Sequence, residues 1–194
     1  MQFILETDRL WLRELSLDDA PAMFELDGNP EVVRYTGRAP LSSVEESRQR
    51  IAERMLADYA RHGFGRWAML LENDPLAGPA GKEPGDALIG VAGLKWLPEL
   101  GEVDVGYGLL PRYWGRGLAT EAARATIDYG FRTLGLSRII GLVDAPHAAS
   151  IRVLEKCGLA FEKVVEYRSQ EVLQYALARS SPAGQLAEAA PRVT

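Results

Sequence analysis

Cysteine is almost missing from this 194-residue chain: Cys157 stands alone, so no internal disulfide can form. A chain without a bridge suits a reducing, cytoplasmic location. Histidine is scarce as well. His62 and His147, with one cysteine, cannot assemble an ordinary zinc site, so no metal is expected. No apolar run approaches the roughly 20 residues of a membrane span. The opening Met1–Leu15 is interrupted by Glu6, Asp8, Arg9, Arg13 and Glu14, unlike a secretory leader. Positive charge is not in excess: 22 Lys and Arg against 27 Asp and Glu leave −5, which argues against nucleic-acid or membrane partners. The Gly-Lys-Ser/Thr of a Walker A loop is lacking, and no three-glycine dinucleotide fingerprint follows an early strand.

What remains is an ordinary globular composition, 47% hydrophobic and 25% charged, at a length that suits one domain. That domain is read as residues 1–179. Residues 180–194, Ala, Pro and polar residues without pattern, read as a disordered tail. Arg9–Arg13 alternates like a first strand. Ser16 opens a helix that stops before Gly28, and Ser42 or Ser43 caps a second that runs to Gly63. Trp67–Leu71, Ala87–Lys95 and Glu102–Leu110 read as strands, with a Pro- and Gly-rich loop over Asn73–Asp86. A helix from about Gly115 to Gly135 follows, then a strand at Arg138–Val143, a short helix at Ala149–Cys157 and a closing strand pair to Ala178. The order β-α-α-β-β-β-α-β-α-β-β predicts an α/β fold, a mixed sheet with helices on both faces.

The most telling stretch is Leu109–Ala122, L-L-P-R-Y-W-G-R-G-L-A-T-E-A. A strand stops at Pro111, a loop with Gly115 and Gly117 follows, and a helix begins at once. A helix N-terminus presents unpaired N–H groups and a positive dipole end, and glycine lets that backbone approach a phosphate closely. Arg112 and Arg116 add charge where phosphates would lie. The pattern predicts a pyrophosphate-bearing ligand held between strand end and helix start.

The strand–R-x-x-G-x-G-x-A–helix order resembles the coenzyme A loop of the GNAT N-acetyltransferases. Thr7–Ala20 and Pro30–Tyr35 resemble the branch that includes the ribosomal-protein N-terminal acetyltransferases RimJ and RimL, and Leu88–Leu94 and Ser150–Leu159 fit the family's further motifs. The resemblance spans about residues 7–178. It implies acetyl-CoA as co-substrate and a primary amine as acceptor, either a protein N-terminus or a small molecule, in a cytoplasmic monomer or homodimer. It further implies CoA contacts from Leu109, Leu110, Arg112, Gly115, Arg116, Gly117, Ala119, Thr120, His147 and Ser150.

Amine acetylation needs a proton removed from the amine, a donor for the developing oxyanion and an acid for the leaving thiolate. In Glu102–Gly108 the side chains alternate, so Glu102 and Asp104 share a face with Gly106 and Gly108, while Val103, Val105 and Tyr107 share the core face. By spacing alone the two carboxylates are either a solvated acidic face or a coupled base. The resemblance implies a base on this strand and ranks Asp104 above Glu102. Ser150 reads either as a helix cap or, by resemblance, as the thiolate's proton donor. His147 stands where the family usually has Asn, and is either a CoA contact or a surface residue. A non-catalytic acyl-CoA-binding module is the competing reading.

Overall fold

Short apolar runs set the strands, and the computed structural model of the protein assembles them into one sheet of eight. It describes residues 3–72, 74 and 88–179. The strands are β1 (Leu5–Glu6), β2 (Leu10–Arg13), β3 (Arg66–Leu71), β4 (Leu88–Leu97), β5 (Glu102–Leu109), β6 (Arg138–Val143), β7 (Ala160–Tyr167) and β8 (Gln170–Ala178). The helices are α1 (Ala20–Asp27), α2 (Pro30–Val33), α3 (Val44–Arg50), α4 (Ala57–His62), α5 (Leu118–Arg132) and α6 (Ala148–Lys156). Sheet order is β1-β2-β3-β4-β5-β6-β8-β7, antiparallel throughout except for β5 beside β6. This is the mixed α/β sheet expected from the element order. The expected loop at Asn73–Asp86, apart from Asp74, and the expected tail at 180–194 lie outside the described residues. No described helix is long and apolar enough to cross a membrane.

Local chemistry explains most element ends. Ser43 caps α3 by accepting from the Glu46 amide at 3.1 Å, and Gly63 closes α4 at φ 73°, where a side chain would be strained. The sequence predicts one unbroken helix here. Instead Ile51–Leu56 forms a widened π turn between α3 and α4. Strand β1 was not expected, because two residues carry no periodicity.

Alternation along β4 puts Ala92 and Leu94 on one face and Val91 and Lys95 on the other. Helix α5 covers the first face: Tyr129 meets the buried Trp67 edge-on at 5.3 Å, and Gly130 leaves room for Leu94 and Ile139. Helix α1 packs against β4, and Val91 of the second face is half-buried with Met55 of the widened turn against the same core. Two apolar cores result. One joins β2–β4 to Met23, Leu26 and Ile51; the other joins β5, β6 and β8 to Ile127 and Leu154. Over the second core β5 and β6 are in register at Asp104↔Ile140 alone. Beyond that pair the sheet is split.

One buried hydroxyl ties the helical layer to the sheet. Tyr59 donates to the Arg66 carbonyl and accepts from the Leu15 amide at 3.2 Å, and burial pushes its phenol well above the usual range. Tyr59→Phe strands both partners. It should lower stability by about 1–3 kcal/mol, read as a drop in Tm of roughly 2–4 °C for each kcal/mol. An unchanged Tm would show that the bond is not needed.

Candidate active site

A cavity of about 890 Å³ opens where β5 and β6 part. Asp104–Leu109 form one wall, Leu142–Asp144 and His147–Ser150 another, and the start of α5 its floor.

Gly115 and Gly117 both turn left-handed, at φ 74° and 78°, and both line the cavity. No side chain caps α5, so its first amides face the cavity without a side-chain acceptor. A Cβ at Gly115 would meet nothing within 4 Å, which leaves that space to a ligand. Ala119 and Thr120 in the first turn line the same floor. The loop is clamped from the chain's start. Arg9 Nη1 donates to the Arg116 carbonyl at 3.1 Å, and Arg9 Nε and Thr7 Oγ1 donate to Glu121 at 2.7 and 2.6 Å. Burial opposes the charge of Glu121, yet Thr7 and Arg9 hold its carboxyl below the usual range. Sequence reasoning missed Arg9, because its partners lie more than a hundred residues away.

Four expected site residues are not brought to the cavity by their side chains. Arg112 pairs with Glu25 and stacks 5.1 Å from the Tyr113 ring, so its charge is already engaged. Arg116 lies 5.8 Å from the same ring. Leu110 is buried in the first core, its amide bonded to the Ile89 carbonyl at 3.0 Å. Glu102 is bound to Arg138 at 2.9 Å at the far end of β5. Same-face spacing is satisfied, yet a two-residue step moves Glu102 away from the cavity. Leu109 does line it, and Trp114 closes over that residue by donating Nε1 to its carbonyl at 2.7 Å.

Asp104 is buried at the fork of the sheet. Its Oδ1 accepts from the Leu142 amide at 3.0 Å, replacing a backbone partner as β6 diverges. Its Oδ2 meets Arg66, which also reaches the Asp104 carbonyl at 3.0 Å and the Gly93 carbonyl. A Cβ at Gly106 would collide with that guanidinium, so glycine here makes room for Arg66. Burial pushes the Asp104 carboxyl above its ordinary range, opposed by Arg66 and the Leu142 amide. A faint sequence signal for Arg66 is a lone cation opening the apolar strand β3.

Ser150 is not a cap. His147 takes that place without a side-chain cap bond, and Ser150 falls in the first turn of α6. Its Oγ lies 3.0 Å from the Tyr107 hydroxyl, which also donates to the Ser150 carbonyl at 3.0 Å. Tyr107 has one proton. Given to the carbonyl, it leaves the phenol oxygen to accept from Oγ. Given to Oγ, it frees the serine proton for the cavity. Alternation had placed Tyr107 in the core; its ring does pack there, but its hydroxyl reaches α6. Burial holds the phenol far above its usual range, against the Ser150 bond. His147 stacks on Tyr35 at 4.4 Å, and burial lowers its pKa, against the pull of Asp144. The Cys157 thiol lies 3.7 Å from the Thr120 carbonyl, pushed up by burial. Among the described residues no cluster of His, Cys, Asp and Glu could hold a metal ion.

The family described as "Acetyltransferase (GNAT) domain" matches residues 9–160. Uncharacterized N-acetyltransferase YoaA of Bacillus subtilis is 35% identical over 174 residues, 89% of this chain and 92% of that protein. Spermidine N(1)-acetyltransferase of Escherichia coli is 28% identical over 151 residues, 78% of this chain and 73% of that one. The crystal structure of an acetyltransferase from Agrobacterium tumefaciens superposes with TM-score 0.73 at 27% identity, covering 90% of this chain and 94% of that one. RimL, a ribosomal alpha-N-protein acetyltransferase solved with coenzyme A, shares the fold at TM-score 0.69 and 18% identity, over 91% and 98% of the chains.

Proposed function

The chain belongs to the GNAT acetyltransferase family, and from that premise we propose that it moves an acetyl group from acetyl-CoA to a primary amine in a ternary complex. The observation that carries this reading is the convergence of the α5 glycine loop, Asp104 and the Tyr107–Ser150 pair on one cavity. The pyrophosphate lies on the first amides of α5, from Gly115 to Thr120. Gly108 and Leu109, which line the cavity, face the pantetheine arm and thioester, whereas the Leu110 amide is already taken by Ile89.

The amine nitrogen attacks the thioester carbonyl carbon, and the amine proton passes to Asp104, directly or through water. The C–S bond breaks. The departing sulfur takes a proton from Ser150 Oγ, which the Tyr107 hydroxyl can replace. Solvent then takes the proton held by Asp104 and gives one back to the Tyr107–Ser150 pair, which closes the cycle. No enzyme nucleophile is needed, because both substrates are held together. The relatives' names support N-acetylation, and the spermidine enzyme favours a small-molecule amine as a second reading beside a protein α-amine. The motifs at Thr7–Ala20 and Asp104–Tyr107 support a place in the RimJ and RimL branch. Residues 1–179 are read as the single catalytic domain, in the cytoplasm.

Ser150→Ala tests the proton donor. Turnover with acetyl-CoA and a responsive amine should fall toward the lower end of the ~10²–10⁴-fold range of general-acid catalysis, since a thiol with pKa ~8.5 is already a good leaving group. Much of the acetyl-CoA affinity should remain, because the other ligand contacts are kept. Since Ser150 is not the cap, Tm should change little. A rate that falls only with the folded fraction would remove the donor role.

A further inference from the structure

At the other end of the cavity four cations converge from four separate parts of the fold. Arg38 comes from the loop after α2, Arg54 from the widened turn, Lys95 from β4 and Arg168 from the β7–β8 turn. None is in an ion pair among the described residues. Arg38 Nε is fully buried and has no hydrogen-bond partner there. Leaving such a donor unmade is costly, unless a bound molecule satisfies it.

The nearby carboxylates do not balance this charge. Asp27 is committed to Arg50 at 3.0 Å and Asp104 to Arg66. Asp58 and Glu31 remain against the four cations. Burial depresses the pKa of Arg38 and of Lys95, and neighbouring cations push the same way against Asp27 and Asp58 respectively. Arg168 and Ser169, at φ 53° and 59°, form the two-residue turn that joins β7 to β8. The Arg168 guanidinium lies 5.1 Å from the ring of Tyr167, which also lines the cavity.

We infer that this end of the cavity takes an acceptor amine that also carries a carboxylate, docked by Arg38 with Lys95 and Arg168. The inference rests on the acetyl-transfer reading above. An arginine fork matches a carboxylate in a bidentate pair, and in a half-buried site that pair is strong. A polyamine would instead bring like charge to an already cationic wall.

The test has two arms. First, kcat/KM for acetyl transfer is measured on matched amines: β-alanine against β-alaninamide, glutamate against its diamide, and short peptides with acidic against amide side chains after a free N-terminus. The acid should win by at least tenfold, mainly through KM. The winning pair tells whether the carboxylate belongs to a free amino acid or a peptide. Arg38→Met should bring the ratio close to one, and Arg168→Asn, which also suits the left-handed turn, should lower it. Second, calorimetry follows glutarate binding to the CoA complex, expected in the wild type and lost in Arg38→Met. Thermal melts confirm both variants fold.

Amides or spermidine used as well as acids would overturn the inference while leaving acetyl transfer in place. So would phosphoethanolamine exceeding every carboxylate, or an acid preference that survives Arg38→Met. Acetyl-CoA binding with no transfer to any amine would overturn the transferase reading itself, and glutarate would then report on the anion site alone.

Discussion

Asp104→Asn is expected to cut kcat/KM near pH 7 by on the order of 10²–10⁴-fold, the range of a lost general base. The shape is kept, and the Asn oxygen can still accept from the Leu142 amide. Its NH₂ then faces Arg66, two donors head to head, so stability should fall too, by about 3–5 kcal/mol for a broken buried pair. The rate must therefore be read per folded molecule. The pH profile separates the two effects. In the wild type Asp104 must be ionised to accept a proton. Burial raises its pKa, against Arg66 and the neighbouring Lys95. Activity should thus fall on acidification at a higher pH than an ordinary carboxylate would give. In Asp104→Asn that acid limb disappears, and part of the rate returns at high pH, where an α-amine with pKa ~8 is already neutral. Glu102→Gln, whose carboxylate is held by Arg138 outside the cavity, should keep near-normal turnover. An equal loss at every pH in Asp104→Asn would make the residue an anchor of the forked sheet and not a base.

Gly117→Val is expected to weaken acetyl-CoA binding at least tenfold, about 1.4 kcal/mol or more. Gly117 begins α5 at φ 78°, where a β-branched residue is badly strained. In the free protein its Cβ would meet only Arg9, at 3.7 Å, so the loss would come from strain and from blocked approach of the ligand. Two variants divide these. Gly117→Asn tolerates the left-handed turn yet still places a Cβ before the phosphates, so affinity should drop with little change in Tm. Gly63→Val carries the same strain at φ 73° in open space at the end of α4, so Tm should drop with affinity kept. Calorimetry on the three reads both quantities. Unchanged affinity in a folded Gly117→Asn would remove the loop from the CoA site.

Features written by neighbouring residues were legible in the sequence. The Ser43 cap, the Gly63 stop and the strand Arg138–Val143 all appear where the residues put them. The glycine loop was legible for the same reason: Gly115 and Gly117 shape their own backbone. Pairings across the chain were not. The engagement of Arg112 by Glu25, of Glu102 by Arg138 and of Asp104 by Arg66 depends on side chains brought close only by the folded sheet. A charge near a glycine loop therefore looked free in sequence and is taken in structure. Ser150 looked like a cap because caps are read from residue type, whereas the turn begins at His147. The cationic end of the cavity had no signal, since its four members come from four elements.

The break between β5 and β6 gives the substrate a second task. With register at Asp104↔Ile140 alone, β5 and β6 are held beside the break by the second core, to which both contribute, and by α5, whose Ala123 and Ile127 belong to that core. A long molecule lying in that break touches both halves and works as mortar between them. Whatever binds there steadies the folded chain in proportion to its concentration over its Kd. On the acetyl-transfer reading, the chain loaded with acetyl-CoA should therefore resist unfolding more than the free chain, in step with the ligand's concentration over its Kd.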